Sequence, residues 1–158
     1  TFTTSTNLFL NAFVSLFAAS KKAIVTASDI NSIALKALKD AKIKNNLELE
    51  IINSNLFNQI ENQSFDYVII NPPYYPKDPK NVKEQAWFCG ENFEYFENLL
   101  LQLSKRSDHT ILMILSEDCD LQKITNIADK NKLQLHIEIE RTRFSERTFI
   151  YRISSKLQ

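Results

Sequence analysis

Glycine is nearly absent from this chain, because Gly90 is the only one in 158 residues, whereas ordinary usage is about 7%. Glycine-rich turns are the usual way to bind dinucleotides and phosphates, since only glycine lets the backbone approach the pyrophosphate closely. A function that depends on such a turn must therefore account for the missing glycines.

Other scarcities exclude whole classes of protein. The two cysteines, Cys89 and Cys119, have no metal-ligand spacing, so we expect no metal site and a reducing, cytoplasmic location. The sequence has no apolar run of about 18 residues and no basic region of the kind that opens a signal peptide, so we expect no membrane association. A net charge of zero argues against tight binding of nucleic acid phosphates.

The apolar pattern predicts alternating helices and strands in a single domain, 1–158. Helices are predicted over 7–20, from a cap at Asn31 or Ser32, over 91–105 and over 121–130. Strands are predicted over 23–28, 47–53, 65–70, 110–115, 133–139 and 148–153, with a long loop at 75–90 and a charged hairpin loop at 140–147. This order indicates an α/β fold with a mainly parallel sheet, helices on both faces and an antiparallel C-terminal hairpin.

The most specific motif is Asn71-Pro72-Pro73-Tyr74, directly after the apolar segment 65–70. Two prolines end a strand, because they cannot donate ladder hydrogen bonds. The carboxyl ends of parallel strands are where such sheets bind ligands. A planar NH₂ group could donate one hydrogen to the Asn71 side chain and the other to the Pro72 carbonyl, with Tyr74 stacked on its flat face. The motif therefore predicts catalysis by positioning of a nitrogen.

Three other positions have both a functional and a simpler interpretation. Asp29 ends a predicted strand, where an acid suits a ribose diol, but it could equally only cap the next helix. Asn55 could hydrogen-bond an adenine ring stacked on Leu56 or Phe57, although a plain Asx turn is the simpler explanation. Trp87, in the loop 75–90, could contact a substrate or pack the loop against the sheet.

Taken together, these segments resemble the class I S-adenosylmethionine-dependent methyltransferases, which have a Rossmann-like fold. They are more narrowly similar to the HemK/PrmC group of protein-glutamine methyltransferases, in the stretches Asp29-Ile30-Asn31, Asn55-Leu56-Phe57, Asn71-Pro72-Pro73-Tyr74 and Ala86-Trp87-Phe88-Cys89-Gly90. The resemblance implies S-adenosylmethionine as cofactor and methyl transfer to a glutamine in a Gly-Gly-Gln motif of a release factor. It also implies cofactor binding by Asp29, Ile30, Asn55, Leu56 and Asn71, catalysis by Asn71, Pro72, Pro73 and Tyr74, and substrate contacts by Tyr74 and Trp87.

One departure from the family concerns the first strand and the glycine-rich cofactor loop, which normally precede the position of Asp29. Segments 6–10 and 14–20 resemble what flanks them in the family, so we expect that strand and loop to be missing near residue 13. An unbroken helix across 7–20 would contradict this hypothesis. Two other functions stay open: an adenine-N6 methyltransferase acting on tRNA, rRNA or DNA, and a binding module without catalysis.

Overall fold

The computed structural model describes residues 2–5, 8–106, 109–143 and 146–156. Within these ranges the chain forms seven strands and four α-helices. In chain order they are β1 (Phe2–Ser5), α1 (Leu8–Ser20), β2 (Val25–Asp29), α2 (Ser32–Lys44), β3 (Glu50–Asn53), β4 (Tyr67–Ile70), α3 (Glu94–Leu103), β5 (Thr110–Ser116), α4 (Leu121–Lys130), β6 (Leu133–Arg143) and β7 (Glu146–Ser155).

All seven strands belong to one sheet in the order β3-β2-β1-β4-β5-β7-β6. Strands β1 to β5 are parallel, and β7 runs antiparallel to both β5 and β6. The predicted α/β fold with its antiparallel C-terminal pair is therefore confirmed. The chain leaves β1 on one side for β2 and β3 and then crosses to β4 on the other side. This change of direction creates a crevice at the carboxyl ends of β1 and β4, where sheets of this type bind ligands.

The structure contradicts the hypothesis of a strand missing near residue 13. Helix α1 is continuous from Leu8 to Ser20, and β1 pairs in parallel with both β2 and β4 at the centre of the sheet. The first strand is thus present, at Phe2–Ser5, ahead of the segment 6–10 that was expected to precede it. Only residues 6 and 7, which lie outside the described ranges, separate β1 from α1, and neither is a glycine.

The C-terminal hairpin is longer than predicted. The segment 140–147, expected to be a loop, contributes Glu140–Arg143 to β6 and Glu146–Arg147 to β7, and only 144–145 fall outside the described strands. Ion pairs join Arg152 to Glu138 and Arg147 to Glu140. Because these side chains balance one another across the ladder, the charges that suggested a loop are compatible with a strand.

Two clusters of buried residues hold the helices on the sheet. Phe96 and Leu99 of α3, Ile124 of α4, and Val68 and Met113 of the central strands lie in the larger cluster. The smaller cluster joins α1 and α2 to β2 through residues such as Ala19, Leu38 and Val25. The larger cluster includes Val68 and Ile70 of β4, the strand that the Asn71 motif directly follows.

Three helices end in a residue with positive φ, where proteins usually place glycine. Lys22 follows α1 with φ of 65°, Asn46 follows α2 with 50°, and Lys132 follows α4 with 59°. The amide of Lys22 bonds the carbonyl of Ala19 at 2.9 Å. The scarcity of glycine thus leaves left-handed helix ends to residues that carry side chains.

No helix in the described ranges has the length and apolar character needed to cross a lipid bilayer. The same ranges contain no group of three or more His, Cys, Asp or Glu side chains arranged to hold a metal ion.

Candidate functional site

Asp29 and Asn71 lie at the same level of the sheet, one on each side of β1. Ser28 and Ile70 both pair with Ser5, and Asp29 and Asn71 each come one residue later. Since neighbouring strands are about 4.8 Å apart, the two backbones are roughly 10 Å apart across the end of β1. The sheet therefore brings the predicted ribose-binding and catalytic positions to one crevice.

The Asn71 motif forms a buried corner where β4 ends. Asn71 is 9% exposed, and both prolines are buried behind it. Among the described residues, none forms a hydrogen bond with the Asn71 side chain or donates one to the Pro72 carbonyl. Two hydrogen-bond acceptors that belong to one stiff segment are thus left for a ligand, as a planar NH₂ group requires.

Tyr74 is half-buried and packs on the larger core cluster. Its ring centroid lies 4.7 Å from that of Tyr75, with 48° between the ring planes. The pKa of Tyr75 is raised mainly by a hydrogen bond with the Tyr74 hydroxyl. The negative charge of Asp118 contributes less to this rise in pKa. The core and its neighbour therefore hold the Tyr74 ring in place beside the corner.

Asp29 does not cap α2. The cap is Asn31, whose Oδ1 accepts hydrogen bonds from the amides of Ile33 and Ala34. Asp29 Oδ1 accepts one from the Asn31 amide at 2.8 Å, while burial raises the pKa of the carboxyl. Hydrogen bonds from the backbone amides of Asn31 and Ile30 to the carboxyl partly oppose this rise in pKa. The two amides thus hold the carboxyl at the end of β2, and the acceptor sites that they do not use suit a diol.

The turn after β3 is built by Ser54 and not by an Asx turn of Asn55. Ser54 Oγ donates to the Leu56 carbonyl at 2.8 Å and accepts from the Gln59 amide at 3.2 Å. Leu56 is buried with φ of 52°. Asn55 is exposed, and its side chain has no hydrogen bond with another described residue, so it is available to a ligand.

A cavity of about 340 Å³ lies between the ends of β2 and β3 on one side and the loop 78–90 with the start of α3 on the other. This is within the range of small-molecule sites, roughly 300–1,000 Å³. It is lined by Ile30, Asn55, Leu56, Asp78, Pro79, Gln85, Phe88, Cys89, Gly90, Glu94 and Tyr95. Three predicted cofactor residues, Ile30, Asn55 and Leu56, meet here. Asp29, the Asn71 motif and Trp87 are not among the lining residues.

The charge of the cavity wall is negative, because Asp78 and Glu94 line it and no Lys or Arg does. Asp78 Oδ1 accepts from the Glu91 amide at 3.0 Å, and Glu94 accepts from the amide and side chain of Asn92. Hydrogen bonds from its own backbone amide and from Asn92 lower the pKa of Glu94. The wall thus disfavours phosphate groups and is compatible with a neutral or cationic ligand.

The loop after Tyr74 closes on itself. Tyr75 donates to the Trp87 carbonyl and accepts from the Cys89 amide, and Gly90 donates to the Lys77 carbonyl. The Trp87 side chain is 56% exposed, so it does not pack the loop against the sheet.

Burial raises the pKa of Cys89 to about 11, which keeps this thiol protonated and excludes it as a nucleophile at neutral pH.

Sequence reasoning missed Gln85. This residue lines the cavity, and its Oε1 is buried without a hydrogen-bond partner among the residues that the structure describes. Gln85 has no motif around it, and the burial of one oxygen atom depends on how the loop folds back over the sheet. The sequence therefore carries no signal that would have found it.

Comparison with known proteins identifies relatives that share parts of the chain. A model of the family described as Methyltransferase small domain matches residues 12–88. A "Bifunctional methyltransferase" of Rickettsia prowazekii is 40% identical over 52 residues, which are 32% of this chain and 10% of that protein. A "Release factor glutamine methyltransferase" of Fusobacterium nucleatum is 40% identical over 60 residues, which are 37% of this chain and 17% of that protein. The matches thus span less than a fifth of these relatives.

Solved structures match nearly the whole chain. A methyltransferase from Pyrococcus furiosus superposes with a TM-score of 0.70 at 16% identity, covering 97% of this chain and 74% of that one. The E. cuniculi Mtq2-Trm112 complex, described as responsible for methylation of the termination factor eRF1, gives 0.66 at 15% identity, covering 99% and 85%. M. capricolum TrmK, solved with S-adenosylhomocysteine, gives 0.63 at 15% identity, covering 98% and 62%. The chain has the Rossmann-like fold of class I methyltransferases.

Proposed function

We propose that this chain is the catalytic domain of an S-adenosylmethionine-dependent N-methyltransferase whose acceptor is a glutamine side chain of a protein such as a release factor. The observation that carries the proposal is the corner at Asn71. A buried amide and a proline carbonyl, both without described partners, lie across β1 from Asp29. Two acceptors on one stiff segment suit an NH₂ group, which has two hydrogens to donate.

The residues present fit the adenosine half of the cofactor. The cavity wall is largely apolar, with Ile30 and Leu56 on its sheet side and an unpartnered acceptor at Gln85. It carries no cation for a phosphate, which supports a nucleoside over a nucleotide. The Asp29 carboxylate has more acceptor sites than its two amide hydrogen bonds use, and these sites suit a ribose diol. When bound, the cofactor supplies an electrophilic methyl group.

The chain's own contribution to the chemistry is orientation. With its two hydrogens held by Asn71 Oδ1 and the Pro72 carbonyl, an NH₂ group has its lone pair directed out of its plane. Tyr74 limits tilting of the flat group. Holding a reacting nitrogen in a near-attack position of roughly 3–3.5 Å removes much of the entropic barrier to transfer. The proton lost by the methylated nitrogen passes to water.

A glutamine acceptor is supported by relatives and by charge. The Fusobacterium nucleatum relative is named for release factor glutamine, and the E. cuniculi structure is described by its action on eRF1. The carboxylates of Asp78, in the loop, and of Glu94, at the start of α3, discourage a phosphate backbone from approaching.

The second candidate is an adenine-N6 methyltransferase acting on tRNA, rRNA or DNA, since an exocyclic amine presents the same NH₂ geometry. Three exposed lysines in the loop, Lys77, Lys80 and Lys83, favour it, because they could neutralise phosphates. Duplex substrates would then have to release the target base from the stack.

The deciding experiment has two steps. Calorimetry with S-adenosylhomocysteine tests cofactor binding first. Methyl transfer is then followed by mass spectrometry with a release factor containing Gly-Gly-Gln, its Gly-Gly-Asn variant as matched control, and unmodified tRNA. We expect binding and one added methyl on the Gly-Gly-Gln protein alone. Methylation of tRNA alone would support the second candidate, and absence of cofactor binding would indicate a module without catalysis, as the short, glycine-free connection after β1 would allow.

A further inference from the structure

Gln85 belongs to a turn that side-chain hydrogen bonds stabilise. It lies in a short 3₁₀ turn, Glu84–Ala86. Asn81 Oδ1 accepts hydrogen bonds from the amides of Lys83 and Glu84, and Glu84 Oε2 accepts one from the Lys80 amide at 2.9 Å. These bonds fix the backbone before any ligand arrives, so the point from which the Gln85 side chain starts is set in advance.

Its side-chain oxygen is an acceptor that lacks a donor. Gln85 Oε1 is buried and has no hydrogen-bond partner in the described part of the chain, and an unpaired buried acceptor lowers the stability of the fold. The two carboxylates of the wall already accept hydrogen bonds, Asp78 from the Glu91 amide and Glu94 from Asn92. Among the lining residues, Gln85 is thus the side chain with a buried acceptor still unsatisfied.

The rest of the wall defines the donor. Ile30, Leu56, Pro79 and Phe88 offer apolar surface to a flat ring. The two carboxylates exclude a phosphate close by, so a nucleoside fits better than a nucleotide. The terminal amide of glutamine rotates readily, which lets Oε1 turn towards a donor on the edge of that ring.

We propose that Gln85 is a specificity residue for the cofactor, whose Oε1 accepts a hydrogen bond from the 6-amino group of adenine. This inference rests on the proposed function, because it takes the ligand to be an unphosphorylated adenosine derivative. It assigns the loop 78–90 to the cofactor site, whereas the sequence alone suggested a contact with the substrate. The bound cofactor satisfies an acceptor that otherwise stays unpaired.

The test compares ligand affinity with stability in the absence of ligand. S-adenosylhomocysteine and S-inosylhomocysteine, which has oxygen in place of the 6-amino group, are titrated into the wild type and Gln85→Met by calorimetry. We expect Gln85→Met to weaken binding of the adenine compound about tenfold and to lose the preference over the inosine compound. Without ligand, the same variant should melt about 2–4 °C higher, because the unsatisfied acceptor is gone.

Two further variants separate this role from a general effect. Gln59→Met makes the same change at an exposed position outside the cavity, and we expect affinity and melting temperature within error of the wild type. Gln85→Glu keeps acceptor oxygens and lacks the donor, so we expect it to keep or sharpen the preference for adenine.

The outcomes distinguish the two proposals. If the wild type binds S-adenosylhomocysteine and Gln85→Met binds it equally well, the role of Gln85 is refuted while the cofactor assignment stands. A wild type that binds neither compound refutes the cofactor assignment and, with it, the role of Gln85. Loss of the preference in Gln85→Glu as well as in Gln85→Met would also contradict hydrogen bonding through an acceptor.

Discussion

Gly90 leaves the space that the Glu94 side chain occupies. Gly90 has φ of 89°, and a Cβ atom built on it would overlap Glu94 Oε2 and lie 3.2 Å from Glu94 Cβ. Glu94 in turn accepts hydrogen bonds from Asn92 at the start of α3. The only glycine of the chain therefore permits the turn that joins the cavity loop to α3.

Replacing Gly90 by alanine should destabilise the protein by about 1–2 kcal/mol, because an L-residue is strained at this φ. Urea unfolding at equilibrium measures the change. In the double variant Gly90→Ala/Glu94→Ala, compared with Glu94→Ala alone, the overlap with Glu94 Oε2 is gone, so we expect a smaller loss. The backbone strain and the 3.2 Å contact with the Cβ atom of residue 94 are left. A Gly90→Ala protein as stable as the wild type would show that the backbone adopts another conformation there.

Asn71→Ala should reduce methyl transfer by about 100-fold or more, because the NH₂ group loses one of the two acceptors that orient it. Its affinity for S-adenosylhomocysteine should change little. Single-turnover rates and calorimetry provide the two readouts. Asn98→Ala is the matched control, since Asn98 is an exposed residue of α3 whose side chain, among the described residues, bonds only the Glu94 carbonyl. Turnover retained in Asn71→Ala would contradict the proposed mechanism.

Asp29→Asn should make the ligand-free protein more stable at pH 7. Burial raises the pKa of Asp29, so the protonated form is favoured in the fold, and stability is lost as the pH rises through that pKa. The advantage of the variant should therefore shrink as the pH falls towards 4, close to the ordinary pKa of aspartate. Urea unfolding at several pH values tests this, and a constant difference would contradict it.

The same variant should bind S-adenosylhomocysteine about tenfold more weakly, since a charged acceptor for the ribose diol is lost. A gain in stability with a loss of affinity would indicate that Asp29 is kept for binding. Unchanged affinity would place the ribose elsewhere.

A phosphorylated ligand should compete poorly for the cavity. We expect AMP to bind at least about tenfold more weakly than 5′-methylthioadenosine, because Asp78 and Glu94 repel the phosphate. Added salt should narrow the difference by screening the charges. Equal affinities at low salt would show that the base binds outside the carboxylate-lined space.

Segments with strong patterns could be predicted from the sequence. The continuous apolar stretch before Asn71 corresponds to β4, and the spacing of Leu121, Ile124 and Ala128 corresponds to α4. The two prolines fixed where β4 had to end. The meeting of Ile30, Asn55 and Leu56 at one cavity follows from parallel strands that end at the same edge.

Other features depend on partners that are distant in the chain. Strand β1 reads Phe-Thr-Thr-Ser and lacks the apolar run of a central strand, so neighbouring strands must override its weak pattern. The hairpin extends through its charged segment because residues 140–143 pair with residues 146–149 across the ladder, and Arg147 forms an ion pair with Glu140. Gln85 owes its role to a loop that folds over a sheet formed elsewhere.

The residues with positive φ at the helix ends lower the stability of the protein through backbone strain. Lys22 and Lys132 have a left-handed conformation, which costs an L-residue about 1–2 kcal/mol relative to the right-handed one. Both residues are exposed, so packing of their side chains contributes little stability. Glycine at either position would relieve this strain far from the crevice. These two substitutions are therefore a starting point for a more stable variant in which the residues around Asn71 are unchanged.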